Sequence, residues 1–267
     1  MSIEKTHVIF DFRSDLRTGG TEAKPIFHPY KAIHFHKQNT KEYYMRIQNI
    51  SMPISFYQIN SNYNTIIIRE RNSGDITTIE LTTTITEGNY TINELTAELA
   101  TELNAISDQG NTYTVTYDEK TGKINIAYAG GASVNVDILS YDAGSTINPI
   151  IGAGEYASAT EFQDIQSTGT DLPNHYNLGF IDKIFLTTNI SSHNHMDDVS
   201  LRRVGAVIPI TQPRGDRESL LNNDGYPVRV KMSALDSIHF SCRDPYKNLV
   251  DLNGVPFSGQ IVFYERE

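Results

Sequence analysis

Apolar and polar residues alternate in short stretches along most of this chain, and the pattern predicts β-strands. The stretches are rich in Ile, Val, Thr, Tyr and Phe, and Asn, Gly, Asp and Pro separate them. Residues of the first group favour strands, whereas those of the second favour turns. The predicted strands cover residues 43–50, 52–59, 63–69, 76–84, 180–188, 201–210, 227–232, 237–242 and 259–265.

One segment follows a helical period instead. Thr91 and Glu94 have the spacing of a capping box, in which the side chain of each residue binds the backbone N–H of the other. Apolar residues then recur at helical spacing and predict one substantial helix, whose apolar stripe packs on a core. The stripe consists of Ile92, Leu95, Leu99, Leu103 and Ile106.

A hairpin is predicted directly after this helix. Residues 113–117 and 123–128 alternate between apolar and polar types, and residues 118–122 supply the turn between them. Gly122 falls where a type I turn with a bulge needs a left-handed backbone conformation. Residues 75–150 are therefore predicted to form a compact strand-helix-hairpin-strand insertion.

The arrangement of these elements favours an all-β fold. Parallel strands need crossovers, usually helices, and only one convincing helix is present. Two antiparallel sheets packed as a sandwich fit better. Residues 1–40, which mix charges with Gly19, Gly20, Pro25 and Pro29, are predicted to be an N-terminal arm that is either flexible or strapped onto a neighbour.

Composition narrows the class of protein. With 267 residues, the chain suits one large β domain or two smaller ones. Cys242 is its single cysteine, so no intrachain disulfide forms, which favours a reducing compartment or a particle assembled inside a cell. The residues after Met1 form no apolar signal sequence, and no apolar run is long enough to cross a membrane.

The formal net charge of −10 argues against a general nucleic-acid-coating function, which needs a basic face. A local basic patch at Arg202, Arg203, Arg214 and Arg217 is diluted by acidic neighbours. We interpret it as the solvated rim of a loop.

Candidate catalytic and metal-binding residues are few. His34 and His36 share one face of a strand, and His193 and His195 form a second pair, but neither pair has the further Cys or His ligands of a zinc site. No nucleophile elbow, dinucleotide fingerprint or P-loop occurs, although folding could still assemble a Ser-His-Asp triad. We therefore predict a protein that is not an enzyme, with no metal and no cofactor.

Arg214, Gly215 and Asp216 spell the tripeptide that integrins recognise, within a segment that has the composition of an exposed turn. The same letters are expected by chance in roughly one chain in twenty of this length at average composition. Receptor binding by Arg214, Gly215 and Asp216 is kept as a hypothesis beside the simpler interpretation as an ordinary turn.

Five landmarks follow one another along the chain: IFDFRSDLR at residues 9–17, IQNISMPISFYQIN at 47–60, EGNYTINEL at 87–95, the hairpin turn at 117–123 and VDLNGVPF at 250–257. Their order resembles that in the minor jelly-roll capsid proteins, penton-like proteins among them, of double-jelly-roll DNA viruses. This resemblance implies an antiparallel jelly-roll sandwich with an inserted small α+β subdomain. The expected boundaries are 1–40 for the arm, 41–74 for the first part of the jelly roll, 75–150 for the insertion and 151–267 for the remainder.

The resemblance also implies a function and partners. The expected protein is a structural virion component, a penton or minor capsid protein, located in the capsid and assembled inside the host cell. Its expected partners are further copies of itself in a homopentamer, the major capsid protein and other minor capsid proteins, without direct nucleic-acid binding. In this setting the insertion would project outward, and the arm could add a strand to a neighbour's sheet.

Two alternatives remain open from the sequence. A receptor- or glycan-binding module of a viral spike or tail would place aromatic and carboxylate side chains in a loop, and Tyr141-Asp142 and Glu155-Tyr156 are candidates. A hydrolase built on a sandwich would need a triad formed by folding. Protonation of His34, His36, His193 or His195 near pH 6 is a further hypothesis for loosening subunit contacts.

Overall fold

The structure, a computed structural model, describes residues 4–35, 42–72, 78–154, 162–190, 204–221, 227–230 and 233–266. The chain divides into two compact units. The first unit combines residues Met1–Phe56 with Ile181–Glu267, and the second is formed by Tyr57–Phe180.

Strands dominate the described part of the chain, as the alternating pattern predicts. In chain order the strands and the two α-helices are β1 (Glu4–Arg13), β2 (Gly19–Gly20), β3 (Pro25–Phe27), β4 (Ile33–His34), β5 (Glu42–Pro53), β6 (Thr65–Asn72), β7 (Thr78–Thr84), α1 (Ile92–Ile106), β8 (Asn111–Asp118), β9 (Lys123–Gly130), β10 (Ser133–Leu139), α2 (Asn148–Ile151), β11 (Phe162–Ile165), β12 (Thr170–Asp171), β13 (Lys183–Thr188), β14 (Val204–Pro209), β15 (Arg217–Leu221), β16 (Val228–Arg229), β17 (Ala234–Leu235), β18 (Ile238–Arg243) and β19 (Ser258–Arg266).

The described residues of the first unit form two large antiparallel sheets and the small two-stranded sheet β17-β4. One large sheet has the order β1-β19-β5-β15, with β16 also pairing with β5, and the other has the order β14-β13-β18-β3-β2. If the eight main strands β1, β3, β5, β13, β14, β15, β18 and β19 are lettered B to I in chain order, the sheets become B-I-D-G and F-E-H-C. This is the strand order of a jelly roll, so the predicted all-β, antiparallel fold class is confirmed.

Aromatic side chains fill the space between the two sheets. The ring of Phe12 on β1 stacks on that of Phe240 on β18, with centroids 4.5 Å apart, and lies 5.8 Å from those of Phe27 and Phe257. Gly259 on β19 makes room for this packing, because an added Cβ would lie 2.8 Å from Cζ of Phe12. Close packing of apolar residues from both sheets supplies the main stabilising contribution in such a sandwich.

The second unit is an α+β structure with two sheets, in the orders β11-β10-β6-β7 and β12-β9-β8. Helix α1 begins with the predicted capping box, since Thr91 Oγ1 accepts from Glu94 N and Glu94 Oε2 accepts from Thr91 N. Its predicted stripe faces inward, and Leu95, Leu99 and Leu103 are buried. The hairpin is also confirmed, because Asp118 pairs with Lys123 and Gly122 has a φ of +61°.

A buried carboxylate joins strand β6 to the segment after helix α1. Glu70 is only 1% exposed, and its carboxylate accepts five hydrogen bonds. The donors are Ser107 Oγ (2.8 Å), Asp108 N (3.1 Å), Gln109 N (3.0 Å), Asn111 Nδ2 (2.8 Å) and Tyr113 OH (2.7 Å). These bonds replace the water that the ionised group loses on burial.

The structure differs from the boundaries predicted from the sequence. Within the predicted arm, β1 pairs with β19 along its length and β3 pairs with β18, so residues 4–35 contribute strands to the first unit. The second unit is longer than residues 75–150, because β6 pairs with β7 and β10, and β12 pairs with β9. Sequence patterns identify strands well, but not the partners with which they pair.

Candidate functional site

Three connections of the first unit meet at one end of the sandwich: residues 14–24, 210–216 and 244–257, here called the loop end. Ser14 N donates to Phe257 O (2.8 Å), and Arg217 Nη2 donates to Pro256 O (2.9 Å). This convergence follows from the jelly-roll order, which brings the β1–β3, β14–β15 and β18–β19 connections to the same end of the sandwich.

The tripeptide Arg214-Gly215-Asp216 lies in the connection from β14 to β15. Its backbone is bonded to the end of β5, because Gly215 N donates to Ile54 O (3.0 Å) and Ile54 N donates to Asp216 O (2.9 Å). Gly215 has a φ of +92°, a conformation that favours glycine. The segment is therefore a turn, as its composition predicts.

Arg214 is held against the fold. Its Nη1 donates to Phe56 O (2.6 Å), and its guanidinium carbon lies 4.3 Å from the centroid of the Phe56 ring. Burial lowers the pKa of Arg214 to about 10, which still leaves the side chain protonated at neutral pH. This cation–π contact and charge-assisted hydrogen bond give Arg214 a structural task.

Glu218, the second residue of β15, binds the start of the same connection through its carboxylate. The residue is 9% exposed, and its Oε2 accepts from Thr211 N (2.9 Å), Thr211 Oγ1 (2.9 Å) and Gln212 N (3.2 Å). The hydrogen bond from the Thr211 backbone is the main cause that lowers the pKa of Glu218. An ionised carboxylate at this position therefore stabilises the loop.

Arg217 ties the turn to two neighbouring segments. Its Nε donates to Ser51 Oγ (2.8 Å) on β5, and its Nη2 donates to Ser51 O (3.1 Å) and to Pro256 O. Gly215 and Asp216 are exposed at the tip. The arrangement is a well-anchored turn with an exposed carboxylate, and receptor binding by Arg214, Gly215 and Asp216 stays a prediction.

Replacement of Arg214 by alanine is expected to lower the free energy of unfolding by about 1.5–3 kcal/mol, because a charge-assisted hydrogen bond and the ring contact are lost. Asp216→Ala is the matched control. Asp216 bonds to Ile54 through its backbone, which the substitution keeps, so the free energy of unfolding is expected to change by no more than about 0.5 kcal/mol. Urea denaturation of both variants measures the difference. Equal stability of the two variants would show that the Arg214 side chain is free to serve another role.

The other predicted sites are placed only in part. His34 lies exposed on β4, whereas His36, His193, His195, Arg202, Arg203, Glu155 and Tyr156 lie outside the described residues. Tyr141 is partly exposed and Asp142 is exposed. Within the described ranges, no group of three or more His, Cys, Asp or Glu side chains is arranged to hold a metal ion.

Two hydroxyl–imidazole contacts bear on the hydrolase alternative. Ser237 Oγ lies 2.9 Å from His239 Nε2, and Thr18 Oγ1 lies 2.7 Å from His28 Nδ1. Among the described residues, no carboxylate is hydrogen-bonded to the other nitrogen of either ring. The orienting third member of a triad is thus not found in this part of the chain.

Phe56 and Glu218, which anchor the turn, were not identified from the sequence. Phe56 is 158 positions from Arg214, and no local pattern signals a contact over that separation. Glu218 offers a weak signal, since it is an acidic residue at a strand position that alternation assigns to the buried side.

No family model matches this chain, and no curated protein matches it. Among solved structures, the chain is similar to the crystal structure of the selenomethionine-labelled mavirus penton protein, with a TM-score of 0.49 and 11% identity over 100% of both chains. A second similarity is to the D1-D2-D3 domains of the flagellar cap protein FliD from Escherichia coli, with a TM-score of 0.18 and 10% identity, covering 96% of this chain and 58% of that chain. In the described part of the chain, no helix is long and apolar enough to span a membrane.

Proposed function

We propose that this chain is a structural protein of a virus capsid, most specifically a penton, and that it acts by assembly without catalysis. The observation that carries this proposal is the strand order B-I-D-G and F-E-H-C in the first unit. Jelly rolls of this kind recur in viral capsid and lectin domains. The resemblance of segments between residues 9 and 257 to penton-like capsid proteins favours the capsid among these classes.

In this role the protein assembles through subunit contacts that bury apolar surface and backbone edges, and rotational symmetry closes the ring. Its partners are four further copies in a homopentamer, the major capsid protein and other minor capsid proteins. The acidic net charge of −10 disfavours a role in coating nucleic acid. Its location is the capsid of a virion assembled inside the host cell.

A receptor- or glycan-binding module of a spike or tail is the second candidate. The turn that exposes Gly215 and Asp216 favours it, because Arg214, Arg217 and Glu218 hold this turn in place before any partner binds. A preorganised loop loses less conformational entropy on binding than a flexible one.

The mass of the purified protein in solution distinguishes the two candidates. Native mass spectrometry, with light scattering as a check, is expected to give a pentamer if the chain is a penton. A trimer would instead support the spike or tail module. A monomer that persists at the highest soluble concentration would contradict a self-closing ring.

A further inference from the structure

Four charged residues form a row across one sheet of the second unit. Asp137 on the inner strand β10 lies directly opposite Asp164 on β11 and, on its other side, directly opposite Arg69 on β6. Arg69 in turn lies opposite Glu80 on β7. Directly opposite residues on antiparallel strands point to the same face, with Cβ atoms about 4.5–5.5 Å apart. From β11 to β7 the row consists of two carboxylates (Asp164 and Asp137), the guanidinium of Arg69 and the carboxylate of Glu80.

The guanidinium in this row is engaged by the carboxylate at the far end. Arg69 Nη2 lies 2.7 Å from Glu80 Oε1, and Arg69 Nε donates to the same oxygen over 2.9 Å. Asp137 is only 4% exposed, yet no hydrogen bond or ion pair joins its carboxylate to any described residue. A buried carboxylate in this position is costly when ionised, and its like-charged neighbour Asp164 adds to the cost.

The groups around Asp137 act in opposite directions. Burial raises the pKa of Asp137, and the charge of Asp164 raises it further, while Arg71 and Arg69 on β6 partly offset both effects. Burial, Asp164 and Asp137 also raise the pKa of Tyr128 on β9. Among the described residues, the charged and titratable groups around this carboxyl are Asp164, Arg69, Arg71, Tyr128 and, through Arg69, Glu80. Burial and the repulsion by Asp164 outweigh the two arginines, so the pKa of Asp137 lies above its ordinary value.

Strand β11 is the element that this repulsion acts upon. Its described residues, Phe162–Ile165, lie at the edge of the sheet, and within the described part of the chain they pair with β10 alone, from Val136–Ile165 to Leu139–Phe162. Gln166 Nε2 also donates to Asp164 Oδ2. An edge strand, bonded to its sheet on one side, opens at lower free-energy cost than an inner strand, so a local charge change can decide whether it stays paired.

We propose that Asp137 and Asp164 form a pH-sensitive latch, in which a proton on Asp137 holds strand β11 on the sheet and loss of that proton loosens it. When Asp137 is protonated, its carboxyl O–H can donate to the Asp164 carboxylate opposite. When both are ionised, two negative charges face each other across β10 and β11. This inference goes beyond the capsid role and does not depend on it.

The direction of the pH effect follows from linkage. Because the pKa of Asp137 is higher in the folded unit than in the unfolded chain, its contribution favours folding at acidic pH. This contribution is complete below the ordinary aspartate pKa and is lost as the pH rises through the raised value. Strand β11 is therefore held more firmly below the raised pKa of Asp137 than above it.

Hydrogen exchange of the full chain tests this latch. Opening of β11 is measured by mass spectrometry at pH 5 and pH 7.5, with rates corrected for the intrinsic pH dependence of exchange. In the wild-type protein β11 is expected to open more readily at pH 7.5. Asp137→Asn, which keeps the shape of the side chain and removes its charge, is expected to hold β11 equally at both pH values. Each unit of pKa elevation corresponds to about a tenfold change in the opening equilibrium.

Two further variants keep the test decisive. Asp164→Asn removes the repelling charge from the other strand and is expected to reduce the pH dependence as well, even if Asp137→Asn fails to fold. Asp142→Asn, at an exposed aspartate of the same unit, is expected to behave as wild type. The proposal is overturned if wild-type β11 opens equally at both pH values, or if Asp164→Asn keeps the full wild-type pH dependence.

Discussion

Replacement of Glu70 by glutamine is expected to lower the free energy of unfolding of the second unit by about 2–5 kcal/mol. All five donors to this carboxylate point at its two oxygens. A glutamine places an NH₂ group where one of these oxygens lies. At the Oε2 position this group faces the backbone N–H groups of Asp108 and Gln109, which cannot accept a hydrogen bond. At the Oε1 position it leaves Asn111 Nδ2 without its acceptor, and the hydroxyls of Ser107 and Tyr113 have to turn and accept instead. The cost of leaving buried donors without a partner exceeds the loss of a single exposed bond.

Glu80→Gln is the matched control for this substitution. Glu80 is an acidic residue of the same sheet whose side chain is 51% exposed and pairs with Arg69. An exposed ion pair contributes about 0–1 kcal/mol, so this variant is expected to stay close to wild type. Hydrogen exchange of peptides from β6 and β8, followed in increasing urea, measures the stability of the second unit. Equal protection of the two variants would contradict the structural role of Glu70.

The same substitution changes the response to acid. Burial raises the pKa of Glu70, but the hydrogen bonds from Tyr113, Asn111, Ser107 and Gln109 outweigh it, so the pKa lies below its ordinary value. The stability from this ionised group is therefore present above the ordinary glutamate pKa and is lost as the pH falls through the lowered value. Glu70→Gln is expected to lack this acid-dependent loss, which is opposite in sign to the effect of Asp137.

Replacement of Phe12 by alanine is expected to destabilise the first unit by about 3–5 kcal/mol, the usual cost of removing a buried aromatic ring. Phe12 is 5% exposed and packs against Phe27, Phe240 and Phe257. The result bears directly on the N-terminal segment. A flexible arm would tolerate this substitution, whereas strand β1 of a sandwich would not.

Ile9→Ala provides the control on the same strand. Ile9 is 53% exposed. Because successive side chains of a strand point to opposite faces, Ile9 lies on the face of β1 opposite to Phe10 and Phe12. Its replacement is expected to change the free energy of unfolding by no more than about 0.5 kcal/mol. Urea denaturation followed by circular dichroism compares the variants. If Phe12→Ala unfolds at the same urea concentration as Ile9→Ala, β1 does not contribute to the core in the way that its contacts indicate.

Local signals account for the parts of the fold that the sequence predicted best. The capping box at Thr91 and Glu94, the buried stripe of helix α1 and the left-handed Gly122 all depend on residues within a few positions of one another. Backbone propensity and hydrogen bonding over such distances are encoded locally. For residues 1–40 the sequence predicted an arm, because the short strands β2 and β3 lie among glycines, prolines and charged residues that are typical of turns.

The candidate site shows the same division. Pro213 and Gly215 predict a turn by themselves, and the turn is present. The anchoring of Arg214 on Phe56 depends on a pairing between β5 and β15 that joins residues more than 150 positions apart. Such a contact leaves no periodic or compositional trace.

The amino-acid sequence thus determined the strand-rich class, the single long helix, the hairpin and the turn, since each follows from interactions between near neighbours. Only the tertiary structure decided the strand order of the sheets and the limits of the two units. The same holds for the surroundings of Glu70, Asp137 and Arg214. The physical reason is that burial and register arise between segments distant in the chain, and a charged side chain carries no mark of whether water or five donors will surround it.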